Sequence, residues 1–309
     1  MKPKYRLAVL GNPDGWYVRD LHRAAAVIGD IEISVVSFGD LRVESRSHDE
    51  LHVFSKLLPK PSTGSEGPSE CQIDRQFDGL LVRSMPLGSL EQVIFRMNAL
   101  HVAKQQGLAV VNSPRSLEIA IDKWLTLDYA RQAGLEIPAT ICCQDRDSAI
   151  QAFERFGRDV VVKPLFGGEG RGLIRINDPD IAWRVFSTLE QISAVIYVQE
   201  FIAHQGFDLR ILVIGDEHFC VARQVAKDDW RTNLSRGGKA EAYTPTEKQI
   251  EMARTAVKAI GGQIVGVDIL PSKDGRDILL EVNAVPGWRG TAKALDVDVA
   301  KKVLQYMHQ

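Results

Sequence analysis

Cysteine is scarce in this chain: four in 309 residues, with Cys142 and Cys143 adjacent and Cys71 and Cys220 alone. No Cys-x-x-Cys pair occurs, so the usual spacing of a zinc ribbon or a redox dithiol is excluded. No apolar run approaches the roughly 18 residues of a membrane span. The apolar stretch behind the basic opening covers only residues 7–10, too short for a signal-peptide core. A cytoplasmic protein is expected, with no use for the sequon Asn233-Leu234-Ser235. A surplus of one charge is also missing: 38 basic against 40 acidic residues give −2. Gripping a nucleic-acid backbone usually needs a basic surplus, so neither nucleic acid nor membrane is expected as a partner. What is present is a globular balance, 45% hydrophobic and 25% charged, which excludes wholesale disorder.

Strand and helix patterns alternate from the start. An apolar run at 5–11, helical spacing over 16–28 and a second run at 31–38 form a β-α-β opening. The Pro-, Ser- and Gly-rich stretch 56–72 reads as a surface loop, and 48–52, His-Asp-Glu-Leu-His, as a solvated turn of helix. Strand, helix and strand follow at 77–83, 89–105 and 109–112, giving an open parallel-sheet domain over 1–112. A second part starts at Ser113-Pro114, with Asp122 as N-cap of a helix over 123–133. Its strands are expected at 139–143, 159–163, 173–176 and 195–201, and a hairpin at 208–226 turns through Gly215-Asp216. Thr244-Pro245-Thr246-Glu247 reads as a helix start with Thr244 as cap and Pro245 first in the helix. Strands at 264–270 and 278–282 and a helix at 299–307 close the chain.

Four groups of residues suggest chemistry. The loop 165–172 after the valine strand holds four glycines in six residues, Gly167, Gly168, Gly170 and Gly172, and leaves many backbone N–H groups open to an anion. It lacks the Gly-Lys-Ser/Thr of a Walker loop and the third glycine of a dinucleotide fingerprint. Asp268, Glu281 and Asn283 lie in apolar strands; if those strands pair antiparallel, two carboxylates and an amide oxygen converge, a donor set that suits Mg²⁺. Lys163 ends a fully apolar strand, a poor place for plain solvation, and fits a phosphate, while Lys123 starts a helix against its dipole and reads alone as an exposed lysine, or as a second phosphate partner where an anion lies nearby. Arg210, Arg223, Arg231 and Arg236, with Lys239, suit a phosphate or carboxylate in bidentate fashion. No histidine pair has metal spacing, and no serine or cysteine nucleophile motif occurs.

From about Ser113 onward the chain resembles the ATP-grasp enzymes of the RimK type, which are carboxylate–amine ligases. The matching stretches are Asp122-Lys123, Val162-Lys163-Pro164 with its glycine loop, and Val198-Gln199-Glu200-Phe201-Ile202. They continue with Gly206-Phe207-Asp208-Leu209-Arg210, the run from Trp230 to Gly238, Gly266-Val267-Asp268-Ile269-Leu270, and Glu281-Val282-Asn283-Ala284. The resemblance implies an α/β and α+β fold: an N-terminal pre-ATP-grasp domain over 1–112 and a two-lobed ATP-grasp domain, with lobes 113–197 and 198–309.

It also implies roles. Lys123, Lys163, Gly167, Gly168, Gly170, Gln199 and Ile202 would bind ATP, Glu200 and the Phe201 backbone its adenine, and Asp208 its ribose. Arg231 and Asn233 would contact phosphates and reacting groups, and Arg223 or Arg231 would stabilise an oxyanion. Asp268, Glu281 and Asn283 would hold two Mg²⁺ ions, with Mn²⁺ as a substitute. The implied reaction joins an amino acid, glutamate or a relative, to an acceptor carboxyl through an acylphosphate. After Asn283 the family's usual Leu-Glu pair is replaced by Trp288-Arg289, which disfavours a ribosomal-protein acceptor. The stretch 82–92 is closer to ATP-grasp proteins of tetrahydromethanopterin synthesis, which implies a flat, anionic pterin-type acceptor near Arg83, Arg210, Trp288 and Arg289. The alternatives are a nucleotide-binding regulator without turnover and a ligase modifying a protein C-terminus. Relatives are often dimers or tetramers, so a homo-oligomer is in keeping with the resemblance.

Overall fold

The computed structural model describes residues 4–47, 50–58, 69–167, 171–225, 230 and 239–309. Its first unit contains β1 (Tyr5–Leu10), α1 (Trp16–Ile28), β2 (Ile31–Val36), β3 (Arg42–Ser47), β4 (Glu50–Leu57) and β5 (Ser69–Gln72). It continues with α2 (Ile73–Gln76), β6 (Gly79–Val82), α3 (Leu90–Gln105) and β7 (Ala109–Val111). Strands β2, β1, β6 and β7 pair in parallel, as four short, nearly all-apolar runs joined by helices should. The sheet is nevertheless mixed, because β3, β4 and β5 add to its edge antiparallel.

Two expectations therefore change. Part of the stretch read as a loop is strand β5 and the end of β4, while 59–68 lies outside the described residues. Of the segment read as a solvated helical turn, 50–52 open β4 and 48–49 lie outside the described residues; His52 is buried, its Nδ1 3.1 Å from Asp74 Oδ2. That carboxylate also accepts the Val53 N–H at 2.7 Å, which ties the strand down through a partner 21 residues away.

Next come α4 (Pro114–Ile121), α5 (Lys123–Gln132), β8 (Thr140–Cys143), α6 (Arg146–Arg155), β9 (Val160–Lys163), β10 (Ile174–Ile176), α7 (Pro179–Gln191) and β11 (Ile196–Glu200). The four strands form an antiparallel sheet in the order β10-β9-β11-β8, with α6 and α7 closing a core around Phe153 and Phe186. Asp122 caps α5 as expected, accepting the Trp124 and Leu125 N–H groups at 2.9 and 3.0 Å.

The last part holds β12 (Phe207–Ile214), β13 (Glu217–Gln224), β14 (Lys239–Ala242), α8 (Glu247–Ile260), β15 (Ile264–Pro271), β16 (Asp277–Asn283), α9 (Arg289–Leu295) and α10 (Val299–Met307). Its sheet runs β14-β13-β12-β15-β16, antiparallel throughout. The cap of α8 is Thr246, not Thr244. Thr246 Oγ1 accepts from Gln249 N and Gln249 Oε1 from Thr246 N, a reciprocal pair that satisfies two N–H groups and leaves Pro245 outside the helix. Helix α10 packs against α1, and its Val303 and Leu304 share a core with Leu212 and Ile264 of the five-stranded sheet. The side chain of Asn112 completes the link: its Nδ2 donates to the Ile264 and Ala284 carbonyls at 2.6 Å each. No described helix is long and apolar enough to cross a membrane.

Candidate active site

Between the four-stranded and five-stranded sheets lies a cleft of about 920 Å³, part of it open to solvent. Lys123, Lys163, Gly167, Gln199, Glu200, Phe201, Ile202, Asp208, Arg223, Asp268 and Glu281 all line it. Gly168, Gly170, Arg231 and Asn233, with Arg236 and the sequon, lie outside the described residues.

One end is built for an anion. Lys163 terminates β9 behind three buried valines and stands directly opposite Tyr197 of β11. Its Nζ donates to Gln199 Oε1 at 2.5 Å and lies 5.9 Å from the centre of the Tyr197 ring. The Gln199 amide is held in turn by donating to Thr140 Oγ1 and Tyr197 OH at 2.9 and 3.0 Å. A neutral amide compensates a buried ammonium poorly. Burial brings the Lys163 pKa down to about 8, with Lys123 pushing the same way and Glu281 and Asp268 pulling against it. Lys123, also lowered mainly by burial, donates to the Gly167 carbonyl at 2.5 Å. The start of α5 is thereby tied to Gly167, in the stretch that follows β9.

The other end is apolar. Ile202, Leu270 and Leu280 pack in one apolar cluster, and with Val161 and Leu173 they give the cleft an apolar wall suited to a flat ring. The Phe201 ring is held by Arg175, whose guanidinium carbon lies 3.4 Å from the ring centre while its fork grips Asp159 at 2.7 and 2.8 Å. Trp230 meets the same ring edge-on at 6.0 Å, and His204 Nε2 lies 3.1 Å from the Trp230 carbonyl oxygen. Two expected contacts are engaged elsewhere. The Phe201 N–H donates to the Asp159 carbonyl at 3.0 Å, and Glu200 Oε1 accepts the Ala139 N–H at 2.7 Å. The first bond extends the β9–β11 pairing by one residue and the second fixes the Glu200 side chain beside the start of β8, while Glu200, Phe201 and Ile202 all still line the cleft.

The floor is a row of charges set by strand register. Arg223 of β13 stands opposite Asp208 of β12, Arg210 of β12 opposite Asp268 of β15, and Asp268 opposite Glu281 of β16. Arg223 Nε donates to Asp208 Oδ1 at 2.7 Å, and Nη2 also bonds to Oδ2. Arg223 Nη2 lies 2.8 Å from Asp268 Oδ2, to which Arg210 Nη2 donates at 3.0 Å. Burial works against the Arg223 charge, but Asp268 and Asp208 together outweigh it and hold its pKa above the ordinary arginine value. Asp208, expected to face a ribose, is thus a partner of Arg223. Arg210, expected at the acceptor, is a partner of Asp268.

The oxygen donors fit a hard divalent cation. Arg210 Nε approaches Asp268 Oδ1 at 2.5 Å without hydrogen-bond alignment, so that buried oxygen accepts no aligned bond. Glu281 lies directly across the sheet. Asn283 is not on the cleft wall; its Oδ1 accepts the Val285 N–H at 2.9 Å, which draws the side chain toward its own loop. Among the described residues no three His, Cys, Asp or Glu side chains gather at metal-holding spacing, so the candidate set on the cleft wall is the two carboxylates of Asp268 and Glu281.

Of the remaining acceptor candidates, Trp288 is fully buried and donates from Nε1 to Asp20 Oδ2 at 3.0 Å, which makes it a core residue rather than a direct contact. Arg83 packs against it, and the Arg289 guanidinium lies 5.5 Å from the Trp16 ring centre. Sequence reasoning missed His204, Arg171 and Trp230 as lining residues, and Leu280 as well. The register shift between Asp268 and Ile269 leaves Leu280 without a partner, so that Leu280 and Glu281, neighbours in sequence, both reach the cleft.

Comparison with known proteins gives the family and the fold. Residues 120–307 match the family model described as a RimK-like ATP-grasp domain. The tetrahydromethanopterin:alpha-L-glutamate ligase of Methanosarcina acetivorans is 29% identical over 324 residues, covering 96% of each chain. A probable alpha-L-glutamate ligase of Histophilus somni is 33% identical over 192 residues, covering 62% of this chain and 64% of its own. Among solved structures, the ATP-grasp ligase PsnB complexed with a minimal precursor superposes with a TM-score of 0.73 at 20% identity over 99% of both chains. The RimK domain protein of Sphaerobacter thermophilus gives 0.70 at 21% identity, over 97% of this chain and 98% of its own. The chain belongs to the RimK-like ATP-grasp family of ligases.

Proposed function

We propose that this protein is an ATP- and Mg²⁺-dependent carboxylate–amine ligase that adds L-glutamate, or a closely related amino acid, to the carboxyl group of a pterin-type cofactor or its precursor. The observation that carries this reading is the convergence of Lys123 and Lys163 with Asp268 and Glu281 in one cleft that also has an apolar wall. The full-length similarity to a tetrahydromethanopterin:alpha-L-glutamate ligase supports the acceptor class.

The base of ATP would lie against that wall beside Phe201 and Ile202, and its phosphates would replace Gln199 and the Gly167 carbonyl as partners of the two lysines. Asp268 and Glu281 would hold Mg²⁺, which neutralises charge on the phosphates when bound. The acceptor carboxylate attacks the γ-phosphorus, ADP departs, and an acylphosphate forms. That mixed anhydride survives only where water is kept out of the cleft. The amine then attacks the acyl carbon, Arg223 stabilises the oxyanion, and phosphate leaves.

The solved complexes of PsnB with its peptide precursor favour a second acceptor class, a peptide carboxyl. The test is ADP release with Mg·ATP across a panel of amino acids against pterin and peptide acceptors. Glu281→Gln is expected to lower turnover by about 10³-fold or more, with the melting temperature retained. Turnover that survives this change would remove the metal assignment, and no ADP release with any acceptor would remove the ligase reading.

A further inference from the structure

The parallel strands of the N-terminal sheet run in the order β2-β1-β6-β7, so the crossovers diverge between β1 and β6. In open α/β sheets the crevice at the carboxyl ends of such a strand pair is where ligands bind. Three segments meet there. The loop 11–15 leaves β1 for α1, and Arg83 directly follows β6. A Cβ at Gly11 would lie 3.0 Å from Val18 Cγ2 and 3.4 Å from Arg83 Cβ, so a larger residue would push the two apart. The third segment comes from β16: Ala284 is buried in the core of the N-terminal sheet, and Trp288 meets the Tyr17 ring edge-on at 5.0 Å. Trp288 is five residues beyond Asn283, which keeps the crevice within about 17 Å of the end of β16.

Arg83 is only 8% exposed. Its guanidinium carbon lies 4.2 Å from the Trp288 ring centre and 4.9 Å from that of Tyr17. Nε is sealed from solvent without a hydrogen bond, and no carboxylate among the described residues pairs with the side chain. Burial lowers its pKa to about 10, against a smaller opposing pull from Tyr17. Two aromatic faces offset only part of the cost of burying a cation. The first turn of α1, which carries Tyr17, has the same imbalance: its cap is Gly15, without a side-chain hydrogen bond, and it contains no acidic residue. Its open N–H groups and the positive end of the helix dipole therefore add to the Arg83 charge.

We propose that Arg83 and the first turn of α1 form the docking site for an oxyanion, a carboxylate or a phosphate, carried by the acceptor substrate. The guanidinium fork meets both chemistries in bidentate fashion, and Tyr17 and Trp288 fix its plane. The assignment to the acceptor rests on the ligase reading; the existence of an anion site does not.

The test is equilibrium dialysis with Mg·AMPPNP at saturation, so that the cleft between the sheets is filled. Labelled inorganic phosphate and labelled glutarate, a carboxylate without an amine, are the separate arms. The unmodified protein is expected to bind one equivalent of at least one of them. Arg83→Met should weaken that binding by about tenfold or more, and Arg83→Lys, which keeps the charge and loses the fork, should fall between. Arg83→Met is also expected to melt at or above the temperature of the unmodified protein, because it removes a buried cation without a counter-ion; a purely structural arginine would give a lower temperature. Should Arg83→Met fail to fold, Arg83→Lys decides. The proposal is overturned if neither anion binds, if both Arg83 variants bind as well as the unmodified protein, or if L-glutamate displaces the bound anion, which would assign the site to the incoming amino acid. Nucleotide retention in the same cells reads the ligase cleft separately.

Discussion

Arg223 joins Asp208 to Asp268, donating from Nε to Asp208 Oδ1 at 2.7 Å and approaching Asp268 Oδ2 with Nη2 at 2.8 Å. All three side chains are buried. Such a pair adds little relative to an apolar replacement, but breaking it leaves an uncompensated charge. Asp208→Ala is therefore expected to destabilise the protein by about 3–5 kcal/mol in urea unfolding. Adding Arg223→Met should recover part of that loss, because Asp268, which Arg210 also holds, then no longer has to balance two buried arginines alone. A double variant as unstable as the sum of the singles would show that the two residues do not act together.

Asn112 makes four bonds to the backbone of the last two sheet strands and their flanks. Nδ2 donates to the Ile264 and Ala284 carbonyls, and Oδ1 accepts from the Gln263 and Ile264 N–H groups at 2.7 and 2.9 Å. Asn112→Ala strands all four groups, at a cost of about 1–3 kcal/mol for each that stays dry. The expected outcome is a loss of at least about 3 kcal/mol in stability, with faster hydrogen exchange at the Gln263 and Ile264 amides. Slow exchange at those amides in the variant would show that other groups hold this junction.

These two relationships mark the limit of what the sequence shows. The valine run 160–162, the cap at Asp122 and the turn at Gly215-Asp216 were legible because each signal is local. A lysine or carboxylate in an apolar strand is conspicuous in the same way, which is why Lys163, Asp268 and Glu281 could be singled out. Pairing is not local. Strand β5 stands beside β4 across residues 59–68, and nothing in its four residues, Ser-Glu-Cys-Gln, announces it. Asp208 read as a ligand contact because only the β12–β13 register reveals Arg223 opposite. Leu280 escaped because a bulge breaks the two-residue period on which the face assignment rests.

The Lys163 ammonium gives a pH dependence with a definite sign. Burial lowers its pKa in the folded protein from the usual 10.5 to about 8. Between those values the unfolded chain holds a proton that the folded protein has released, so stability rises with pH across that window. Below about 8 both states are protonated and the full penalty applies, about 3 kcal/mol for a shift of this size. The measurement is urea unfolding from pH 7 to 10.5, taken as the difference between the unmodified protein and Lys163→Met so that other titrating groups cancel. Nucleotide phosphates beside Nζ should raise the same pKa, so binding above about pH 8 takes up a proton and weakens as pH increases. Calorimetry of AMPPNP binding in two buffers of different ionisation enthalpy reads that uptake, which Lys163→Met should abolish. Proton release instead, or an uptake that persists in Lys163→Met, would mean that the phosphates lie elsewhere.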